Sequence, residues 1–222
     1  MNLSYAEENY LKGIYQLTIT SEDGTSTNGI AEYMSTKASS VTDMLKKLSK
    51  KGMVDYRAYK PVKITPEGRA KAIKVIRKHR LWETFLVEKL GFKWDEVHEI
   101  AEELEHINSE KLIGRLDDFL GRPTHDPHGD PIPDDEGNIE HHKDFTVADL
   151  KINQFGMIIG LKDTSPDFLR FLEESGLTLG KSIRVTGYTE YDQSMTVNIN
   201  LKDERTISHQ VAKNLYIKKL TR

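Results

Sequence analysis

The sequence predicts a mainly α-helical chain that ends in a small β part, on three observations. Apolar residues recur at helical spacing up to Leu120. The run GRPTHDPHGDPIPDDEG, crowded with proline, glycine and aspartate, then breaks the chain. From Thr146 onward short segments alternate apolar and polar residues. With 222 residues, 37% hydrophobic and 30% charged, the chain can form one large domain or two to three small ones with modest cores.

The elements follow in order. From Glu7 to Leu17, Tyr10, Leu11, Ile14, Tyr15 and Leu17 recur as a helix face. SEDGTST breaks that helix, and a short second helix runs from Gly29 to Met34. A third covers about Ser39 to Lys50, with Val41, Leu45 and Leu48 inward and Lys46, Lys47, Lys50 and Lys51 on the exposed side. Gly52 stops it. Met53 to Tyr56 and Val62 to Ile64 alternate around the turn Ala58-Tyr59-Lys60-Pro61, the pattern of a hairpin. Thr65 suits an N-cap and Pro66 the first helical position, opening a long helix to Leu90. Beyond Gly91 another helix is expected from Trp94 to Leu120, with a break near Ile107-Asn108-Ser109. The C-terminal part shows strands at Ser182–Val185, Met195–Ile199 and Leu215–Ile217 and one helix from Pro166 to Ser175, which predicts a small β-barrel.

Two short helices, a turn, a lysine-bearing helix and a hairpin make a winged helix-turn-helix, the unit that places its third helix in the DNA major groove. Other small domains share that topology, so the charge distribution matters. The whole chain carries a net charge of -3, which excludes a generally basic nucleic-acid coat. Residues 1–80 nevertheless hold 15 basic and 8 acidic side chains, whereas residues 81–140 hold 5 and 17. A basic head thus precedes an acidic middle. The third helix offers Lys37, Ser39, Ser40, Thr42 and Asp43 to base edges. Lys46, Lys47 and wing residue Lys60, beside Arg57, face phosphates.

The chain has no cysteine, which excludes disulfide scaffolds, thiolate zinc clusters and thiol nucleophiles. No run of eighteen apolar residues occurs, so the reading is a cytoplasmic protein with no membrane partner.

In the acidic middle, His98, Glu102, Glu105 and His106 fall within an arc of about 100° on a helix, apart from the apolar stripe of Val97, Ile100, Ala101, Leu104 and Ile107. The preceding helix adds His79 and Glu83, four residues apart. Two antiparallel helices can therefore offer six N and O donors to a divalent cation. Carboxylate-rich, thiol-free coordination suits Mn(II), with Fe(II) next. A metal-dependent hydrolase built on the same His/Glu set is the alternative from another class, but no HExxH occurs. A metal-buffering protein is a further one. His125-Asp126, embedded among prolines, lacks the helix that a phosphohydrolase pair needs. His128, His141 and His142 are expected to face solvent, and Trp82, Phe85, Leu86 and Trp94 to serve core or dimer contacts.

The runs EENYLKGIYQL, ASSVTDMLKKLSKKGMV, RKHRLWETFLVEKLG and above all WDEVHEIAEELEHINSEKLIGRLDDFLGRPTHDPHGDPIP resemble the diphtheria-toxin-repressor family of metal-dependent transcriptional regulators. The resemblance covers nearly the whole chain and is strongest from Glu7 to Pro133. It implies a winged helix-turn-helix DNA-binding domain over residues 1–72, a helical dimerisation and metal-binding domain over 73–140 and an SH3-like domain over 147–222. It also implies a homodimeric repressor that binds a palindromic DNA operator once Mn(II) or Fe(II) is bound, in control of metal homeostasis. By motif position His79, Glu83 and His98 match one metal site, and Glu102, Glu105 and His106 the other. The further ligand from the N-terminal helix falls on Asn9, where manganese-responsive members usually have aspartate and iron-responsive ones methionine; Glu8 is an alternative donor. Glu102 stands where iron-responsive members carry cysteine, which favours manganese. Asp163 and Asp167 occupy roughly the region from which the SH3-like domain of some relatives adds ligands.

Overall fold

The computed structural model of the chain describes residues 3–19, 23–139 and 145–220. His141 and His142 lie outside the described residues. Helix α1 (Tyr5–Ile19) opens on a reciprocal cap: Glu7 N donates to Ser4 Oγ at 3.3 Å, and Ser4 N to Glu7 Oε2 at 2.7 Å. Helices α2 (Thr27–Tyr33) and α3 (Ala38–Lys50) follow. Leu11, Ile14, Ile30, Val41, Leu45 and Leu48, all fully buried, form one core under them. Strands β1 (Val54–Asp55) and β2 (Lys63–Ile64) pair antiparallel as the wing, whose exposed tip carries Tyr59 at φ 64°. Lys51, expected on the exposed side, is instead half-buried and drawn to the buried Glu7 of α1: its Nζ lies 2.7 Å from Glu7 Oε2.

Helix α4 (Pro66–Leu90) starts as its caps predict, with Gly68 N donating to Thr65 Oγ1 at 3.0 Å, and ends on Gly91 at φ 73°. Its early turns pack on α1 and its later turns on the next helix, so one rigid element runs from the first domain into the second.

The helix expected from Trp94 to Leu120 is divided at the break expected near Ile107-Asn108-Ser109, into α5 (Val97–Leu104) and α6 (Glu110–Phe119). Ser109 is the reason: its Oγ accepts from Leu112 N at 3.3 Å and starts a new helix. Residues 105–109 therefore leave the helical course, and His106 leaves the stripe in which helical arithmetic placed it.

The C-terminal part is a five-stranded antiparallel sheet. Strands β3 (Phe155–Leu161), β4 (Ser182–Tyr188), β5 (Met195–Ile199), β6 (Asp203–Ile207) and β7 (Leu215–Leu220) stand in the order β6-β5-β4-β3-β7. Helices α7 (Pro166–Ser175) and α8 (His209–Ala212) accompany it. Strand β3 was not anticipated because FGMIIGL reads as an apolar run without alternation. Strand β6, an edge with four exposed residues, carries no apolar pattern at all. The proline-rich segment crosses between the second domain and this sheet. At Gly129, φ 85°, a Cβ would stand 2.2 Å from Ile159 O and 2.5 Å from Gly160 Cα, so only glycine lets that loop lie on β3. No helix among the described residues is long and apolar enough to cross a membrane.

Candidate metal centre

Helix α4 places His79 and Glu83 one turn apart on the same face, and α5 brings His98 opposite them. His79 Nε2 lies 3.0 Å from Glu83 Oε1 and 3.2 Å from His98 Nδ1, and His98 Nδ1 lies 3.3 Å from the same Glu83 oxygen. Three donor atoms thus converge. Two ring nitrogens facing each other beside a carboxylate repel unless a proton or a cation stands between them. His79 and Glu83 are buried and His98 is half exposed, so the group has a buried base and an open side.

A second group shares Glu83. Its other oxygen, Oε2, lies 3.6 Å from His128 Nδ1, and Asp126 completes the set. Nε2 of His128 donates to Trp94 O at 2.8 Å, which leaves Nδ1 as the nitrogen turned to Glu83. Asp126 Oδ1 accepts from His128 N at 2.8 Å and Asp130 N at 3.0 Å, so the carboxylate also shapes the loop that carries the histidine. Sequence reading missed both residues. His128, expected in solvent, is 3% exposed. The only local signal was the spacing Asp126-Pro127-His128-Gly129-Asp130, an Asx-turn pattern whose burial depends on the sheet beneath it.

The other predicted set is placed differently. Glu102 lies 3.5 Å from His98 Nε2; Glu105 Oε2 lies 2.6 Å from His79 Nδ1; His106 Nδ1 lies 2.6 Å from Glu8 Oε2, with the Tyr5 ring stacked on it at 4.5 Å. The fully buried Glu105 also takes Lys12 Nζ on both oxygens, at 2.7 and 2.8 Å. Tyr5, Glu8, Asn9 and Lys12 follow helical spacing, so one face of α1 covers this set. Asn9 Oδ1 on that helix is buried with no hydrogen-bond partner among the described residues, a lone pair free for a cation. The N and O donors of both groups fit a divalent cation of the Mn(II) or Fe(II) kind. Asp163 and Asp167 are not drawn in: Asp163 accepts from Ser165 N at 2.9 Å, and the exposed Asp167 pairs with Arg170.

Protons on the buried histidines offset part of the carboxylate charge. Burial opposes a charge on His79, but its hydrogen bonds to Glu105 and Glu83 outweigh this and raise it to about 9; His128 also reaches about 9, through Glu83, against burial. Burial, then Asp130 and Glu83, push Asp126 up to about 7. Each raised group binds protons more tightly in the folded chain than in the unfolded one. The stabilisation from the two histidines is complete below 6.5 and is lost as pH climbs through about 9; that from Asp126 fades between 3.8 and about 7. The chelator-treated protein should therefore melt at steadily lower temperature from pH 5 to pH 9, a trend that calorimetry would read directly. A melting temperature that rises over this range would contradict it.

Toward DNA, Lys37, Ser39, Ser40, Asp43, Lys46, Lys47 and Lys60 are all exposed. Thr42 is half-buried and its hydroxyl donates to Ala38 O at 2.9 Å; Asp43 pairs with Lys46 at 3.4 Å. Both are partly spent within α3. On the second domain Leu90, Phe92, Leu112 and Phe119 are exposed, and the core is small: Leu81, Trp82, Ala101, Ile113, Leu116 and Ile132.

Comparison with known proteins matches three family models in succession. These are the N-terminal DNA binding domain of iron dependent repressors over residues 2–62, their metal binding and dimerisation domain over 65–134, and the FeoA domain over 145–219. The chain is 38% identical over 128 residues to the iron-dependent repressor IdeR of Mycobacterium leprae, 57% of this chain and about half, 54%, of that protein. It is 28% identical over 227 residues to IdeR of Mycobacterium tuberculosis, covering 96% of each. Among solved structures, a manganese-dependent transcriptional repressor in complex with manganese shares 35% identity at a TM-score of 0.85, over 96% of this chain and all of that one. ScaR with bound Cd2+ shares 31% at 0.78, over 96% and 99%.

Proposed function

The chain belongs to the iron-dependent, or diphtheria-toxin, repressor family of metal-dependent transcriptional repressors, and from that premise we propose that it is a repressor whose effector is Mn(II), with Fe(II) as the alternative. The observation that carries this reading is the convergence of His79, Glu83 and His98 within 3.3 Å, without a thiol anywhere in the chain. A carboxylate at Glu102 supports manganese over the softer choice. The family is one of DNA-binding regulators with a dimerisation domain, and the chain is a regulator rather than an enzyme.

In our reading residues 1–72 bind DNA, 73–140 dimerise and hold the metal, and 147–222 form the SH3-like part. The exposed apolar residues Leu90, Phe92, Leu112 and Phe119 belong to the homodimer surface, because a core this small gains most from burying apolar area against a second copy. The start of α3, with Lys37, Ser39 and Ser40, reads base edges of a palindromic operator, while Lys46, Lys47 and Lys60 meet phosphates. Thr42 and Asp43 contribute less, being engaged within the helix.

Helix α1 joins the two activities. Glu8 reaches His106 in the metal set, and its neighbour Glu7 holds Lys51 at the end of α3. A cation bound by Glu102, Glu105, His106 and Asn9 would add the charge of a divalent ion to this set. Asn9 and Glu8 would then hold α1 on the 105–109 turn, and Glu7 would hold α3 at the orientation that meets two successive major grooves in the dimer. Differential stability between these arrangements is what coupling requires.

The test is capture of fragments from the source genome by the purified protein at fixed salt, with chelator, Mn(II), anaerobic Fe(II) or Zn(II). A palindromic site enriched only with Mn(II) is the expected result. Equal enrichment in chelator would end the metal-effector reading, and enrichment with Fe(II) alone would replace manganese by iron.

A further inference from the structure

The metal reading leaves Lys12 unexplained, and Lys12 is the most unusual group at the site. Glu105 has 0% exposure, and the Lys12 side chain only 16%. Nζ stands 2.7 and 2.8 Å from the two carboxylate oxygens and 3.4 Å from Glu102 Oε1. This is no surface pair. An ammonium that clasps both oxygens of a buried carboxylate and reaches a second carboxylate stands where a cation would stand.

The oxygen at issue is Glu105 Oε1. It lies 3.9 Å from His106 Nε2, and these two atoms are among those that would hold a cation at this site. Lys12 Nζ is already 2.7 Å from that oxygen. Two positive charges cannot share so small a volume at low local dielectric without strong repulsion. The other contacts of Glu105 leave no second choice, since Oε2 is occupied by His79 at 2.6 Å.

We propose that Lys12 is the internal competitor of the metal: its ammonium fills the cation position of the Glu102, Glu105 and His106 site in the metal-free protein, and metal binding displaces it. The inference rests on the reading of that site as a metal site and assigns a specificity-determining residue to it. Two consequences follow. Without metal, Lys12 gives the carboxylates part of the charge they need through an exchangeable ion pair, and metal with Asn9 and Glu8 replaces that pair to fix α1 in place. The effector must also outcompete an ammonium whose effective concentration is high, so the site answers to a divalent ion only above a threshold and disregards monovalent ones.

Lys12→Met keeps the aliphatic stem and removes the charge. In a Mn(II) titration followed by the EPR signal of the free ion, the site that His106→Ala abolishes should bind about tenfold tighter in Lys12→Met. In parallel, the melting temperature should fall for the chelator-treated variant and not for the manganese-loaded one. Lys12→Arg, which retains a cation at the end of a long aliphatic side chain, should restore weaker binding and metal-free stability. Lys12→Gln repeats the test if the methionine variant folds poorly. Equal loss of stability with and without metal, or unchanged affinity, would make Lys12 a structural ion pair and overturn the proposal. If His106→Ala leaves every Mn(II) affinity of the wild-type protein intact, the metal does not use this site, and the proposal falls together with the reading it rests on.

Discussion

Glu83→Gln is expected to remove both neighbouring metal groups at once and to destabilise the metal-free chain. Glu83 is 2% exposed and is the one residue common to the two clusters, with His79 at 3.0 Å, His98 at 3.3 Å and His128 at 3.6 Å. Burial works against its charge, but hydrogen bonds from His128, His79 and His98 hold the carboxyl well below the usual range. An amide keeps the shape and removes the charge. His128 then loses the anion that keeps it protonated, while His79 keeps only Glu105, and leaving a buried charge without its partner costs about 3 kcal/mol or more. For a chain of this size that is a fall of roughly 10 °C in melting temperature without metal. Mn(II) titration of the variant should show loss of the sites that Glu83 serves. Retention of wild-type metal stoichiometry would take Glu83 out of the ligand set, and an unchanged melting temperature would show that the histidines do not depend on it.

The second large effect separates sensing from response. His106→Ala, or Glu102→Ala, should abolish the stimulation of DNA binding by Mn(II), leaving only the salt-sensitive, sequence-independent affinity of the basic head, about a thousandfold weaker than specific binding. Glu7→Gln should give the same loss of stimulation by another route. Its carboxylate is 6% exposed, lies 2.7 Å from Lys51 and sits next to Glu8, which holds His106. Against burial, Lys51 and the Ser4 cap hold the Glu7 carboxyl below its usual value, so Glu7 is a carboxylate at neutral pH. The glutamine variant should therefore bind Mn(II) as the wild type does while its operator affinity responds little. Fluorescence anisotropy of a labelled operator, measured beside metal titration, reads both quantities. Full stimulation in His106→Ala removes that site from the switch; full stimulation in Glu7→Gln moves the mechanical link away from α1.

What the sequence determined by itself is what local rules govern. The order of three helices and a hairpin was legible because caps, helical periodicity and a turn act over a few residues: Thr65 and Pro66 begin α4, Gly91 ends it, and each does so in the structure. His79 and Glu83 were legible for the same reason, being one turn apart on a single helix. His98 opposite them needed only that consecutive helices pack side by side.

Tertiary structure decided the rest. The course of residues 105–109 depends on whether Ser109 caps a new helix, and that turn sends His106 to Glu8, 98 residues away in the chain, and Glu105 to Lys12, 93 away. Asp126 and His128 look like solvent-facing loop residues until Gly129 lays their loop on β3, which buries them against Glu83. Contacts of this kind leave no period in the sequence, because the partners meet through a fold that many other residues specify. The type of ligand is written locally in the chain, whereas which ligand meets which, and which cation already stands there, is settled only when the helices and the sheet close on one another.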